Sequence, residues 1–182
     1  MQNKVIKLNT SNKDKIKEFE KLFAKHNINI ETSFIDLKEI DAEPLMVVAQ
    51  KASQVEEGVL VEDTSLYVEE ASVGVNVKWV LEHISNYIGK KAVWTVYLAR
   101  RSGESILIFK GEVPGMLVPE KKGKDGFGFD HFFMPTGSDK TLSEFKPDKY
   151  NARAMAVEAL INHDVFTRYP VILDWNGPWQ GE

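Results

Sequence analysis

The sequence contains no cysteine, which excludes disulfide bonds, cysteine-ligated zinc and thiol catalysis. Histidine is scarce, and none of the four residues has the HxxxH or HExxH spacing of a zinc hydrolase. No segment approaches the roughly 20 apolar residues of a membrane helix, and the first residues are too polar for a signal peptide. We therefore expect a cytoplasmic protein that does not associate with membranes.

Positive charge is not in excess either. The 23 basic and 27 acidic residues give a net charge of −4, which argues against a broad surface for nucleic acid. Hydrophobic residues make up 43% of the chain and aromatic residues 10%, enough for a sizeable core. A length of 182 residues predicts a single domain over residues 1–182, with room for two lobes.

Apolar residues recur at spacings that alternate between strands and helices. The predicted strands are 5–8, 28–34, 59–61, 93–99 and 106–113, the last two forming a hairpin, and the predicted helices are 13–26, 45–55, 78–88 and 153–163. Residues 164–182 hold several apolar side chains, so we expect them to pack as an ordered C-terminal extension. The pattern predicts an α/β fold with a long mixed sheet flanked by helices.

The turn after the first strand has the character of a phosphate site. Thr10 and Asn12 precede the first predicted helix, Ser11 or Asn12 can cap it, and Lys15 lies one turn further on. A helix N-terminus presents free backbone N–H groups and the positive end of the helix dipole. The alternative is a capped, solvated, lysine-rich helix.

Acidic and hydroxyl residues follow the short strand at 59–61. Asp63, beside Thr64, could hold Mg²⁺ or orient an attacking water molecule. Glu39 and Glu43 are possible second ligands. The alternatives are that Asp63 or Thr64 caps a turn and that the two glutamates are solvated.

A glycine-rich, aromatic loop spans residues 123–133. Phe127 or Phe129 could stack on a base, Gly128 allows a ligand to approach the backbone, and Asp130 could accept a hydrogen bond from a ring N–H. The alternative is a glycine-kinked strand that feeds aromatic side chains into the core.

Cations at three further places could bind substrate. Lys149 and Arg153, at the start of the last predicted helix, could reach the edge of a purine, or they could simply be solvated. Lys51 and Lys78 are additional phosphate candidates.

The order of these motifs is more specific than any one of them. TxNxxK after the first strand, then VEDTxL, KW and GFGFD, resembles the inosine/xanthosine triphosphate pyrophosphatase family over about residues 5–160, most closely its eukaryotic-type branch. The resemblance implies an elongated two-lobed α/β fold with a substrate cleft between the lobes and a homodimer. It also implies Mg²⁺-dependent hydrolysis of ITP, dITP and XTP to the monophosphate and pyrophosphate.

The resemblance also implies roles for individual residues. Asp63 is implied as metal ligand and proposed base, and Glu39 as the second metal ligand, although Glu43 stays possible. The implied substrate-binding residues are Thr10, Asn12, Lys15, Lys51, Thr64, Phe127, Gly128, Phe129, Asp130, Lys149 and Arg153.

One segment departs from the family pattern. Where the family has a lysine, a short spacer and Ser-His-Arg, this chain has Lys149, a shorter spacer, and Asn151, Ala152 and Arg153. Loss of an imidazole donor bears on base preference more than on phosphate chemistry. Two alternatives follow: hydrolysis of another modified nucleotide, as in the related septum-inhibitor nucleotide pyrophosphatases, or a non-catalytic nucleotide-binding homologue.

Overall fold

A computed structural model describes residues 4–69, 82–119 and 121–181. The KW motif at 78–79, with the candidate Lys78, lies outside these residues. Across these ranges, every helix is too short or too polar to cross a lipid bilayer.

The chain opens with a strand, a helix and a second strand: β1 (Lys4–Asn9), α1 (Lys13–Ala24) and β2 (Ile28–Ser33). The two strands pair in parallel, from Lys4 opposite Ile28 to Asn9 opposite Ser33. The helix buries Phe19, Leu22 and Phe23, the apolar stripe that its spacing predicts.

A five-stranded sheet holds the rest of the strands: β3 (Val61–Val68), β4 (Lys91–Ser102), β5 (Ser105–Leu117), β6 (Phe133–Pro135) and β7 (Thr167–Pro170). Its order is β3-β4-β5-β6, and β7 pairs antiparallel with β5. The remaining α-helices in the described part are α2 (Pro44–Ser53) and α3 (Ala152–Ile161). The predicted α/β class is confirmed.

The strand that carries Asp63 differs from the expectation. It was predicted to end at Val61, but β3 continues to Val68, so Glu62, Asp63 and Thr64 lie inside it. The preceding residue, Leu60, forms a parallel bridge with Leu8 of β1. Pairing with neighbouring strands, rather than apolar pattern, therefore sets where this strand ends.

The helix predicted over 78–88 is also different. Residues 78–81 lie outside the described residues, and the part from 82 onward contains a short 3-10 helix, Ile84–Asn86. A second 3-10 helix, Asp148–Tyr150, precedes α3.

The chain forms two compact units. The first comprises Met1–Asp63, Tyr97–Lys110 and Ala156–Glu182, and the second comprises Thr64–Val96 and Gly111–Met155. In the core of the first unit, Val48 and Ala52 of α2 pack with Ile106 and Ile108 of β5. Val171 and Ile172, from the segment after residue 163, pack against the same core. The cleft implied by the resemblance stays a prediction.

Candidate active site

The turn between β1 and α1 is held by side-chain hydrogen bonds. Asn12 is the N-cap: its Oδ1 accepts from the backbone N of Lys15 at 3.1 Å. The Thr10 hydroxyl accepts from the Asn12 N–H at 3.3 Å. Because the cap uses Oδ1, the amide nitrogen of Asn12 is the atom that could donate to a phosphate.

Lys15 connects this turn to β3. Its ammonium group pairs with the Glu62 carboxylate, which is buried with only 5% of the side chain exposed. The phosphate-site turn therefore lies beside Glu62, and both belong to the first unit.

Lys51 of α2 completes the arrangement. Its Nζ lies 3.1 Å from Oε1 of Glu39 and donates to the backbone carbonyl of Glu62 at 2.7 Å. With Asp63, the next residue along β3, these side chains form what we call the charged cluster: Lys15, Glu39, Lys51, Glu62 and Asp63.

The charges in this cluster perturb one another. The pKa of Asp63 is raised to about 7, chiefly because the group is buried and also because Glu62 and Glu39 lie near it; Lys51 and Lys15 act in the opposite direction. For Lys51, burial lowers the pKa, but the neighbouring carboxylates outweigh it and the net pKa is raised. Lys51 is therefore a firmly held cation, whereas Asp63 can exchange a proton near neutral pH.

The charged cluster also bears on the expected metal site. Glu39 lies in the cluster, while Glu43 is exposed at the start of α2 and makes no side-chain capping bond. Within residues 4–69, 82–119 and 121–181, no three acidic or histidine side chains converge as a metal-binding group. Mg²⁺ commonly takes only one or two carboxylates plus substrate phosphates. Glu39 and Glu62 raise the pKa of Asp63 because negative charge is concentrated there. A place of this kind fits a divalent cation.

The glycine-rich loop of the second unit is held by Asp130. This residue is 2% exposed, and its Oδ2 accepts from the Phe127 N–H at 3.1 Å and from Lys146 Nζ at 3.0 Å. Gly126 has a φ of 89°, and a Cβ there would lie 2.7 Å from Asp130 Oδ2. The contacts make Asp130 the brace of the loop; direct contact with substrate stays a prediction.

Two cations and two aromatic rings lie close together at this loop. The Arg153 Cζ lies 4.8 Å from the Phe127 ring centroid and 5.2 Å from that of Trp94. Lys146 Nζ lies 5.0 Å and 5.2 Å from the same two rings. We call these four residues the aromatic cluster. Its Phe127 ring is half-buried, whereas Phe129 is in the core.

Two other residues that are predicted to bind substrate have protein contacts of their own. Phe129 packs edge-to-face with Trp94 and with Phe133, at centroid distances of 5.8 and 5.7 Å, so its contacts do not support stacking on a base. Lys149 is exposed, with Nζ 5.0 Å from the Tyr150 ring, and its contact with substrate stays a prediction.

The segment that departs from the family pattern is well accounted for. Asn151 caps α3: its Oδ1 accepts from the backbone N–H groups of Arg153 at 2.9 Å and Ala154 at 3.2 Å. Ala152 is fully buried, and the Arg153 guanidinium donates to the Thr64 hydroxyl at 3.4 Å. Asn151 therefore caps the helix as a serine would, whereas Ala152 has no group that could replace the imidazole of a histidine.

Sequence reasoning missed three of these residues: Glu62, Lys146 and Trp94. Glu62 was overlooked because Asp63 beside it matched the family motif. The signal for Lys146 was its position, since it precedes Arg153 by more residues than Lys149 does. Nothing local to Trp94 indicated that β4 would bring it against Arg153.

Comparison with known proteins agrees with these observations. The sequence profile of the Ham1 family matches residues 6–163. The chain is 29% identical over 176 residues to the dITP/XTP pyrophosphatase of Pyrobaculum aerophilum, covering 85% of this chain and 93% of that protein. It is 28% identical over 174 residues to the inosine triphosphate pyrophosphatase of Yarrowia lipolytica, covering 86% and 92%. The solved structure of a HAM1 protein from Coxiella burnetii shares the fold, with a TM-score of 0.68 at 22% identity over 88% of this chain and 98% of that one. The family predicted from the order of the motifs is confirmed.

Proposed function

The chain belongs to the Ham1 family, and from that membership we propose that it hydrolyses deaminated purine nucleoside triphosphates, namely ITP, dITP and XTP, to the monophosphate and pyrophosphate. The observation that carries the proposal is the charged cluster. It joins two buried or half-buried cations to three carboxylates beside a helix N-terminus. This is a combination suited to a triphosphate and its hydrolysis.

The chain's own groups account for binding and for activation of water. The phosphate oxygens would be held by Lys15, Lys51 and the N-terminus of α1, together with Thr10 and Asn12. The bond between the α- and β-phosphates would then be open to in-line attack. Asp63 would orient the attacking water and serve as the base that accepts its proton. Phosphoryl chemistry needs no nucleophilic side chain, so the lack of cysteine is no obstacle.

Mg²⁺ is part of the proposal, with Asp63 and Glu39 as the residues that would hold it. When bound, the ion would offset charge on the triphosphate and the pyrophosphate leaving group. Glu62, paired with Lys15, would keep that lysine in place rather than bind the ion.

Base recognition is assigned to the aromatic cluster. The half-buried Phe127 ring offers a stacking face, and Lys146 and Arg153 offer donors to the carbonyl oxygen that deamination leaves on the purine. Adenine has an amino group at that place, which is itself a donor. It could not accept a hydrogen bond from Lys146 or Arg153, so adenine nucleotides would bind less well. Thr64 and Asp130 would hold Arg153 and Lys146 in position.

The test is pyrophosphate release from a panel of nucleoside triphosphates, with Mg²⁺ and with EDTA. We expect release from ITP, dITP and XTP far above that from ATP, and loss of release in EDTA. Asp63→Asn should abolish turnover, while the control Asp139→Asn, at an exposed position, should not. Absence of pyrophosphate release from every nucleotide would refute the proposal and favour a nucleotide-binding role.

A second candidate is hydrolysis of a different modified nucleotide. The fully buried Ala152, in place of the family's histidine, is the observation that favours it. Methylated purine and pyrimidine triphosphates therefore belong in the panel, and a preference for one of them over dITP would select this candidate. The homodimer is likewise proposed from family likeness, and light scattering of the purified protein would test it.

A further inference from the structure

The segment that carries Glu39 has no regular secondary structure. It connects β2, which ends at Ser33, with α2, which begins at Pro44. The start of this segment is held by Asn9, whose Oδ1 accepts from the Ile35 N–H at 2.9 Å and whose Nδ2 donates to the Ile35 carbonyl at 3.0 Å. Glu39 lies four residues after Ile35, so these two bonds do not fix its position.

The C-terminal tail, residues 171–180, holds the other end of the segment that carries Glu39. The Gln180 N–H donates to the Glu39 carbonyl at 3.0 Å, and the Asp41 N–H donates to the Pro178 carbonyl at 2.9 Å. The Gln180 side chain also donates to the Ile40 carbonyl at 3.0 Å. Ile40 pairs antiparallel with Trp179 and is fully buried, which an irregular connection seldom achieves without such cover.

The tail itself has a defined turn. Trp175 Nε1 donates to the Pro178 carbonyl at 2.9 Å, and the Trp175 ring lies directly on Gly177. A Cβ at Gly177 would collide with Trp175 Cζ2, so only glycine fits there without a shift of the ring. Upstream, the Ile172 N–H donates to the Ser53 hydroxyl at 2.9 Å, which ties the tail to α2.

We propose that residues 175–180 are a positioning element that fixes Glu39 beside Lys51. This inference rests on the proposed function for its catalytic consequence. The match to the Ham1 profile ends at residue 163, so the tail lies outside the matched region. Backbone bonds on Glu39 and on both of the residues that follow it fix the position from which its carboxylate reaches Lys51 Nζ at 3.1 Å. Without the tail, the carboxylate would spread over positions that no longer match the charged cluster.

Two tail variants break this support without a substitution in the charged cluster. Gly177→Ala displaces the Trp175 ring, and Gln180→Pro removes the N–H that bonds to Glu39. Leu173→Ala is the matched control, because that side chain is 73% exposed and lies upstream of the turn. Hydrogen exchange of the full-length protein should become faster at residues 38–41 in both variants, and it should be unchanged in the control.

Kinetics then decide whether the support matters for Glu39. For dITP we expect kcat to fall about 10-fold, and the Mg²⁺ concentration at half-maximal activity to rise about 10-fold, with little change in KM. Mg²⁺ titration by melting temperature, without nucleotide, gives the same comparison independently of turnover. Adding Gln180→Pro to Glu39→Gln should cost little more than Glu39→Gln alone, because both changes act on one carboxylate.

The outcomes separate this inference from the proposed function. A wild-type protein that releases no pyrophosphate counts against the function, while hydrogen exchange and the Mg²⁺ titration still test the tail. Unchanged exchange at residues 38–41 in Gln180→Pro would overturn the inference. So would faster exchange accompanied by unaltered kcat and Mg²⁺ response, or full additivity with Glu39→Gln.

Discussion

The substitution Asp63→Asn should stabilise the metal-free protein at the same time as it abolishes catalysis. Asp63 is half-buried next to Glu62 and Glu39, and its pKa is raised from 3.8 to about 7. Between these values the folded protein keeps a proton that the unfolded chain has lost. Because the folded state binds more protons, its free energy of unfolding falls as the pH rises from about 4 to about 7.

The size of the effect follows from the shift. A rise of about three pKa units, at about 1.4 kcal/mol per unit, gives a penalty of up to about 4 kcal/mol that is fully present above pH 7. Asparagine cannot ionise, so the variant escapes this penalty. We expect little difference between the two proteins near pH 4 and a variant that is more stable by a few kcal/mol at pH 8.

Urea denaturation in EDTA, at several pH values from 4 to 8, measures this difference. Asp139→Asn, which removes a charge at an exposed position, serves as the control and should follow the wild type throughout. A variant whose advantage is constant with pH, or that is less stable than the wild type at pH 8, would refute the reasoning about Asp63.

Three further results are expected. Lys51→Met should lower kcat/KM for dITP by about 100-fold or more, because it removes a cation held by Glu39 and by the β3 backbone, and steady-state kinetics will check this. Lys146→Ala should raise KM for dITP by about 10-fold while Lys149→Ala leaves it near the wild-type value; equal effects would contradict the assignment. Phe127→Leu should change KM with little loss of stability, whereas Phe129→Leu should cost about 1–2 kcal/mol of unfolding free energy, measured in urea.

Local signals in the sequence predicted much of the fold. The apolar spacing of Phe19, Leu22 and Phe23 predicted α1 and the face that it buries, and Asn12 was one of two candidates for its cap. Such features depend on residues within one or two turns of each other, so a short stretch of sequence contains all that determines them.

Features that depend on distant partners were predicted less well. The end of β3 was placed too early, because polar residues such as Asp63 and Thr64 join a strand when neighbouring strands offer hydrogen bonds. That Lys146 lies near the Phe127 and Trp94 rings, whereas Lys149 lies near Tyr150, also depends on how distant segments pack. Likewise, nothing near Gln180 indicates that it pairs with residue 39, because the two residues lie far apart in the sequence.

The capping bond at Asn151 has a consequence for recognising relatives of this chain. Its Oδ1 accepts from two N–H groups at the start of α3, a task that serine, threonine and aspartate also perform. A search pattern that demands serine at this position would discard proteins whose helix begins in the same way. A pattern that accepts any short polar acceptor there, followed two residues later by arginine, would retain them and leave the intervening residue to vary with the nucleobase.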